Sequence, residues 1–106
     1  METLAHMDMN EFNQKFKQGT YVLFFTADWC PDCNFIKPAM PEIEQDFSQA
    51  KFITINRDDN IELAADFGIM GIPSFVVIQD GKEVARLVNK KRKTKEEVEN
   101  FLSQAL

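Results

Sequence analysis

"TYVLFFTADWCPDCNFIKP", residues 20–38, changes character halfway along. Residues 20–27 are a near-continuous β-branched and aromatic run, too short for a buried helix and suited to a central strand covered on both faces. From residue 31 the spacing becomes helical: Phe35, Ile36, Met40, Ile43 and Phe47 recur at three- and four-residue steps. Pro31 fits a first helical turn, where its missing N–H has no intrahelical role. Pro38 lies inside the periodic stretch, and Pro41 follows it, so the spacing predicts one bent helix over 31–48. Both cysteines of the chain, Cys30 and Cys33, fall at the corner between strand and helix.

The flanking segments complete an α/β pattern. Phe12 and Phe16 share one helical face, with Asp8 or Asn10 available as cap and Gly19 as exit. Residues 51–56 alternate Phe52 and Thr54 against Ile53 and Ile55, the mark of a strand. Residues 61–69 read as a short helix with Ile61, Ala64 and Ala65 inward and Gly68 at its end. Residues 74–79 and 83–88 read as a hairpin about Asp80-Gly81. Thr94 and Glu97 form a capping box ahead of Val98, Phe101, Leu102 and Leu106. Strands joined through a helix can be parallel, whereas the hairpin strands must be antiparallel. A mixed sheet with helices on both faces is expected.

At 106 residues, 44% of them hydrophobic, the chain has material for one core. Residues 1–8 are expected to be an N-terminal extension or a cloning remnant, and 9–106 a single domain. No stretch of about 20 apolar residues predicts a membrane span, and the start lacks the pattern of a secretory signal. A formal net charge of -5 disfavours nucleic acid as a partner. The bases cluster once, at Lys90, Lys91, Arg92 and Lys93, either as a solvated turn or as a docking patch for an acidic partner.

Three readings of the cysteine pair compete. A zinc site needs four ligands, and the chain offers only His6 besides, so a metal would have to be shared between chains. A buried inert pair fits poorly beside Pro31, Asp32 and Asn34. A redox dithiol fits the geometry. Unpaired N–H groups at the helix start stabilise a Cys30 thiolate, and Cys33 lies one turn along, within reach for a second exchange step. Cys30 is then expected to be exposed and Cys33 buried, with Trp29 over the site edge. No metal or cofactor is implied. Pro73 precedes a β-rich run although it cannot donate to a ladder, and a cis Ile72-Pro73 bond facing the cysteines would account for it.

Trp-Cys-x-x-Cys followed some forty residues later by "GIPS", together with "FGIMGIPSFVVIQDGKEV", the Pro38 helix and the terminal helix, resembles the thioredoxin family over residues 9–106. The resemblance implies a thioredoxin fold whose first edge strand is short or absent, since "METLAHM" is a poor strand. It implies Cys30 as attacking nucleophile, Cys33 as resolving cysteine and Pro73 as the cis-proline of the substrate groove. Trp29, Pro31, Asp32, Ile72, Val88 and Asn89 would line the surface that meets substrate. A monomeric, cytoplasmic reductase of protein or small-molecule disulfides would follow, recharged by thioredoxin reductase or a similar dithiol donor. An oxidase or isomerase of an oxidising compartment, or a binding scaffold with little turnover, uses the same residues. This chain departs from the family's pattern at four places. Pro31-Asp32 replaces Gly-Pro, Phe24 replaces a buried aspartate, Thr54 replaces that aspartate's lysine neighbour, and Asn89 replaces a glycine beside the groove.

Overall fold

The computed structural model describes residues 1–106. Its elements run β1 (Glu2–Thr3), α1 (Met9–Lys15), β2 (Thr20–Thr26), α2 (Pro31–Ile36), a 3-10 turn (Lys37–Ala39), α3 (Met40–Asp46), β3 (Lys51–Asn56), α4 (Ile61–Asp66), β4 (Ser74–Gln79), β5 (Lys82–Leu87) and α5 (Lys95–Ala105). The strands form one sheet in the order β1-β3-β2-β4-β5. β1 and β2 lie parallel to β3, while β4 runs antiparallel to β2 and β5. This is the mixed-sheet thioredoxin fold that the resemblance implies, with a first edge strand of two residues. No helix is long and apolar enough to cross a membrane.

Alternation along the strands divides the core in two. Leu23, Phe25, Ile53, Ile55, Val76 and Ile78 face α1 and α4, where they meet Phe12, Phe16, Leu63 and Ala64. Val22, Phe24, Phe52, Phe75 and Val77 face the other way, onto Ile36, Met40, Ile43, Val98 and Leu102. β2 is therefore covered on both sides, as its unbroken apolar run requires. Leu4 and Met7 also pack into the first cluster, and the Leu4 N–H extends the β1 pairing with a bond to the Thr54 carbonyl at 2.8 Å.

Local signals set the element ends. The Asp8 carboxylate caps α1 by accepting from the Glu11 N–H at 2.8 Å. Thr94 and Glu97 form the expected reciprocal box at the start of α5. Asp80 and Gly81 both take positive φ, 51° and 82°, the geometry a two-residue hairpin demands.

Three expectations are corrected. The 31–48 segment is α2, a 3-10 turn and α3 rather than one bent helix, because Pro38 cannot donate an i→i−4 bond and the ladder tightens until the Met40 N–H reaches the Lys37 carbonyl. Phe35 is exposed, outside the core. In α4, Leu63 and Ala64 are buried, whereas Ile61 and Ala65 face water. A helix of six residues makes under two turns, so periodicity alone leaves its inner face ambiguous.

Candidate active site

The carboxyl end of β2 leads through Ala27, Asp28 and Trp29 into Cys30, the N-cap of α2. Its extended backbone (φ −84°, ψ 111°) turns the sulfur back over the first helical turn. There Cys30 Sγ accepts from the Cys33 N–H at 3.2 Å, in the place a capping oxygen would take. Pro31 follows at the first helical position, and the Asn34 amide donates to the Asp28 carbonyl at 3.2 Å, steadying the corner. Both cysteines are free thiols.

Cys30 was expected to be exposed, but only 5% of it is accessible; Cys33 is fully buried behind it. The cause lies in the second chain segment. The Ile72-Pro73 bond is cis, as the sequence suggested, and the Ile72 carbonyl stands 3.9 Å from Cys30 Sγ. The Ser74 hydroxyl donates to the Gly71 carbonyl and holds this turn in place.

Burial, and next the bond to Cys30, push the Cys33 thiol up to about 11; the Thr26 hydroxyl and the Ala27 backbone act in the opposite sense. Thr26 Oγ1 is buried with no hydrogen-bond partner, and its hydroxyl acts on Cys33 in the sense that favours the thiolate. No carboxylate stands behind the pair. Phe24, at the strand position where the family's pattern has an aspartate, is fully buried in the second core cluster and stacked on Phe75 with ring centroids 5.1 Å apart. Thr54, its register partner on β3, is half-buried.

The remaining sequence candidates divide between two sides. Trp29 is 58% exposed, yet it is anchored: its indole N–H donates to Asp58 Oδ2 at 2.8 Å and the Arg57 guanidinium lies 5.0 Å from its ring centroid. Opposite, Asp32 accepts from Arg92 Nε at 2.9 Å, and the same guanidinium stacks 4.5 Å from the centroid of Phe35. Val88 is half-buried against the first core cluster, and Asn89 is half-buried with its side chain turned into its own loop. Pro31 is exposed and Pro73 buried.

Sequence reasoning missed three contributors. Lys93 is fully buried, although four adjacent bases read as solvated. Gly71 is in tight contact, since a Cβ there would lie 2.7 Å from the Asn89 backbone. Arg92 reaches Asp32, between the cysteines, across sixty positions, a pairing no local pattern encodes.

The thioredoxin family model matches residues 3–104. Thioredoxin H-type 1 of Nicotiana tabacum is 35% identical over 89 residues, covering 79% of this chain and 71% of that protein. Thioredoxin of Bacillus subtilis (strain 168) is 34% identical over 83 residues, 77% of this chain and 80% of its own. Among solved structures, Fasciola hepatica thioredoxin superposes with a TM-score of 0.81 at 27% identity, over 100% of both chains. Thioredoxin NaTrxh from Nicotiana alata does so at 0.79 and 27%, over 98% of this chain and 92% of that one. The chain belongs to the thioredoxin family, and its C-x-x-C redox centre is the pair Cys30 and Cys33.

Proposed function

We propose that this protein reduces disulfides, with Cys30 as nucleophile and Cys33 as resolving thiol. The observation that carries the reading is the asymmetry of the pair. Cys30 keeps 5% of its surface accessible and its sulfur accepts an N–H bond at 3.2 Å, while Cys33 is fully buried and its thiol is pushed up. The Cys30 thiolate attacks one sulfur of the substrate, whose S–S bond breaks and whose other sulfur leaves as a thiolate. Cys33 then gives up its proton and attacks Cys30 Sγ. The Cys30–Cys33 disulfide forms, the second substrate thiolate departs, and two electrons have passed to the substrate. Proximity across one helical turn replaces a bimolecular collision.

Exposed apolar side chains near the opening support protein substrates over small ones: Trp29, and Met70 at 78% exposure just before the Gly71 turn. Ile72 and Pro73 would face an extended segment of substrate there, with Pro31 and Asp32 at its other margin. A dithiol donor of the thioredoxin reductase kind would return the pair to its reduced form, in the cytoplasm, where thiols stay reduced.

A second reading, binding with slow turnover, draws on the raised Cys33 thiol and on Phe24 in place of a proton-accepting carboxylate. Reduction of insulin by dithiothreitol, with wild type beside Cys30→Ser, separates the two. Acceleration by wild type alone is expected. Equal rates would leave only the binding reading, and Cys33→Ser should hold substrate covalently on Cys30.

A further inference from the structure

The bases at 90–93 form a built loop. Lys93, 1% exposed, donates from Nζ to the Asn89 carbonyl at 3.3 Å, to Asn89 Oδ1 at 2.8 Å and to the Lys91 carbonyl at 2.6 Å. Asn89 Oδ1 also accepts the Lys91 N–H at 2.9 Å. The loop is thus coiled around a buried ammonium held by neutral acceptors, with no carboxylate in contact.

Two contacts seat this loop against Cys30. On one side the Asn89 backbone and the Lys90 stem close on Gly71, whose neighbour Ile72 supplies the carbonyl 3.9 Å from Cys30 Sγ. On the other, Arg92 pairs with Asp32, one of the two residues between the cysteines. That pair also cancels the one carboxylate of the C-x-x-C turn. Lys90 and Lys91 remain exposed and make no ion pair. The Trp29 side is mixed in charge: Asp58 bonds the indole beside the Arg57 guanidinium, and Asp28 lies 3.9 Å from Lys37 Nζ. In a chain of net charge -5, the loop side of the opening is a local positive pole.

We propose that the 89–93 loop is a cationic rim that selects disulfides flanked by carboxylates, presented in extended peptide with the acidic residues over Gly71 and Asn89. Lys93 and Asn89 fix the rim; Lys90 and Lys91 carry its unpaired charge. The proposal rests on Cys30 as nucleophile. Charge of this kind acts chiefly on encounter and orientation, so it is read in the second-order rate constant and fades with salt.

Three peptides of one length, each with a single disulfide flanked by Glu-Glu, Gln-Gln or Lys-Lys, are mixed with fully reduced protein at low ionic strength. Oxidation of the protein is followed in single turnover, and each rate is divided by that of the same peptide with dithiothreitol. The expected order is Glu over Gln over Lys, with about a fivefold ratio at each step. That order should flatten in Lys90→Gln/Lys91→Gln and reverse in Lys90→Glu/Lys91→Glu. Three equal ratios, or an order untouched by charge reversal, would overturn the rim while leaving the cysteine chemistry intact. If Cys30→Ser consumed the Gln peptide as fast as wild type, the rim and the reading beneath it would fall together.

Discussion

The resolving step is where this active site is most exposed to test. Cys33 sits near pH 11 because it is buried and because it bonds Cys30. In the mixed disulfide Cys30 no longer offers a thiol, so the second cause is lost and burial remains. Burial alone still holds the thiol above its ordinary value, so at pH 7 the thiolate is a small fraction that each unit of pH raises about tenfold. Since only the thiolate attacks, the rate of intramolecular resolution should rise about tenfold per unit from pH 7 to 9. The assay is a stopped-flow reaction of reduced protein with an aromatic disulfide whose thiolate is coloured. The first colour release reports Cys30, and the second, independent of reagent concentration, reports Cys33. Thr26→Val removes the hydroxyl that favours the Cys33 thiolate and should slow the second phase about fivefold, the worth of about 1 kcal/mol. A second phase that stays flat between pH 7 and 9 would refute the reasoning, because Cys33 would then be ionised already or relieved of its proton by another group.

Burial of Cys33 also has a stability signature. Its folded value lies above the 9.0 of an ordinary thiol, so unfolded chains lose the proton first as pH rises. Relative to Cys33→Ala, the reduced protein should lose about 2 kcal/mol in urea unfolding as pH climbs from 9 to 11, and parallel curves would count against it. Phe24→Ala opens a hole beside Phe75 and should cost about 3–5 kcal/mol in the same measurement, with a loss under about 1 kcal/mol indicating collapse of the site. Gly71→Ala places a methyl 2.7 Å from the Asn89 backbone. A penalty of about 1–3 kcal/mol is expected, with a lower rate of Cys30 attack on peptide disulfides; an unchanged rate would show that the loop does not shape the opening.

Much of this scaffold is written locally. Asp80-Gly81, Asp8 and the Thr94–Glu97 box each act within four residues, and each is where the sequence puts it. The strand at 20–26 is legible because a run apolar on both faces has few other places to go. Phe35 and Lys93 were misread for one shared reason. Side-chain type sets an average preference for water, while the loop before α5 exchanges their roles: Arg92 lies over Phe35 outside the core, and Lys93 is drawn inside by three oxygens. At the site, the helix start with its two cysteines could be located from spacing. The near-closure of Cys30 could not, since it depends on the Ile72 carbonyl arriving from 42 residues away.

The two-residue strand at the amino end has an effect out of proportion to its length. Glu2, Thr3 and Leu4 occupy the outer side of β3 beside Ile53 and Thr54, and the Met7 N–H then reaches Asn60 Oδ1 at 3.1 Å. The middle of the β3 edge is thereby paired by its own chain. The opposite margin, β5, carries Lys82, Glu83 and Arg86, with Arg86 spent on Glu83 and on the Phe67 carbonyl. Charges there and a short self-made strand here leave little bare backbone for a stranger to zip onto. Neither margin therefore presents a long, flat, apolar strand to an incoming chain.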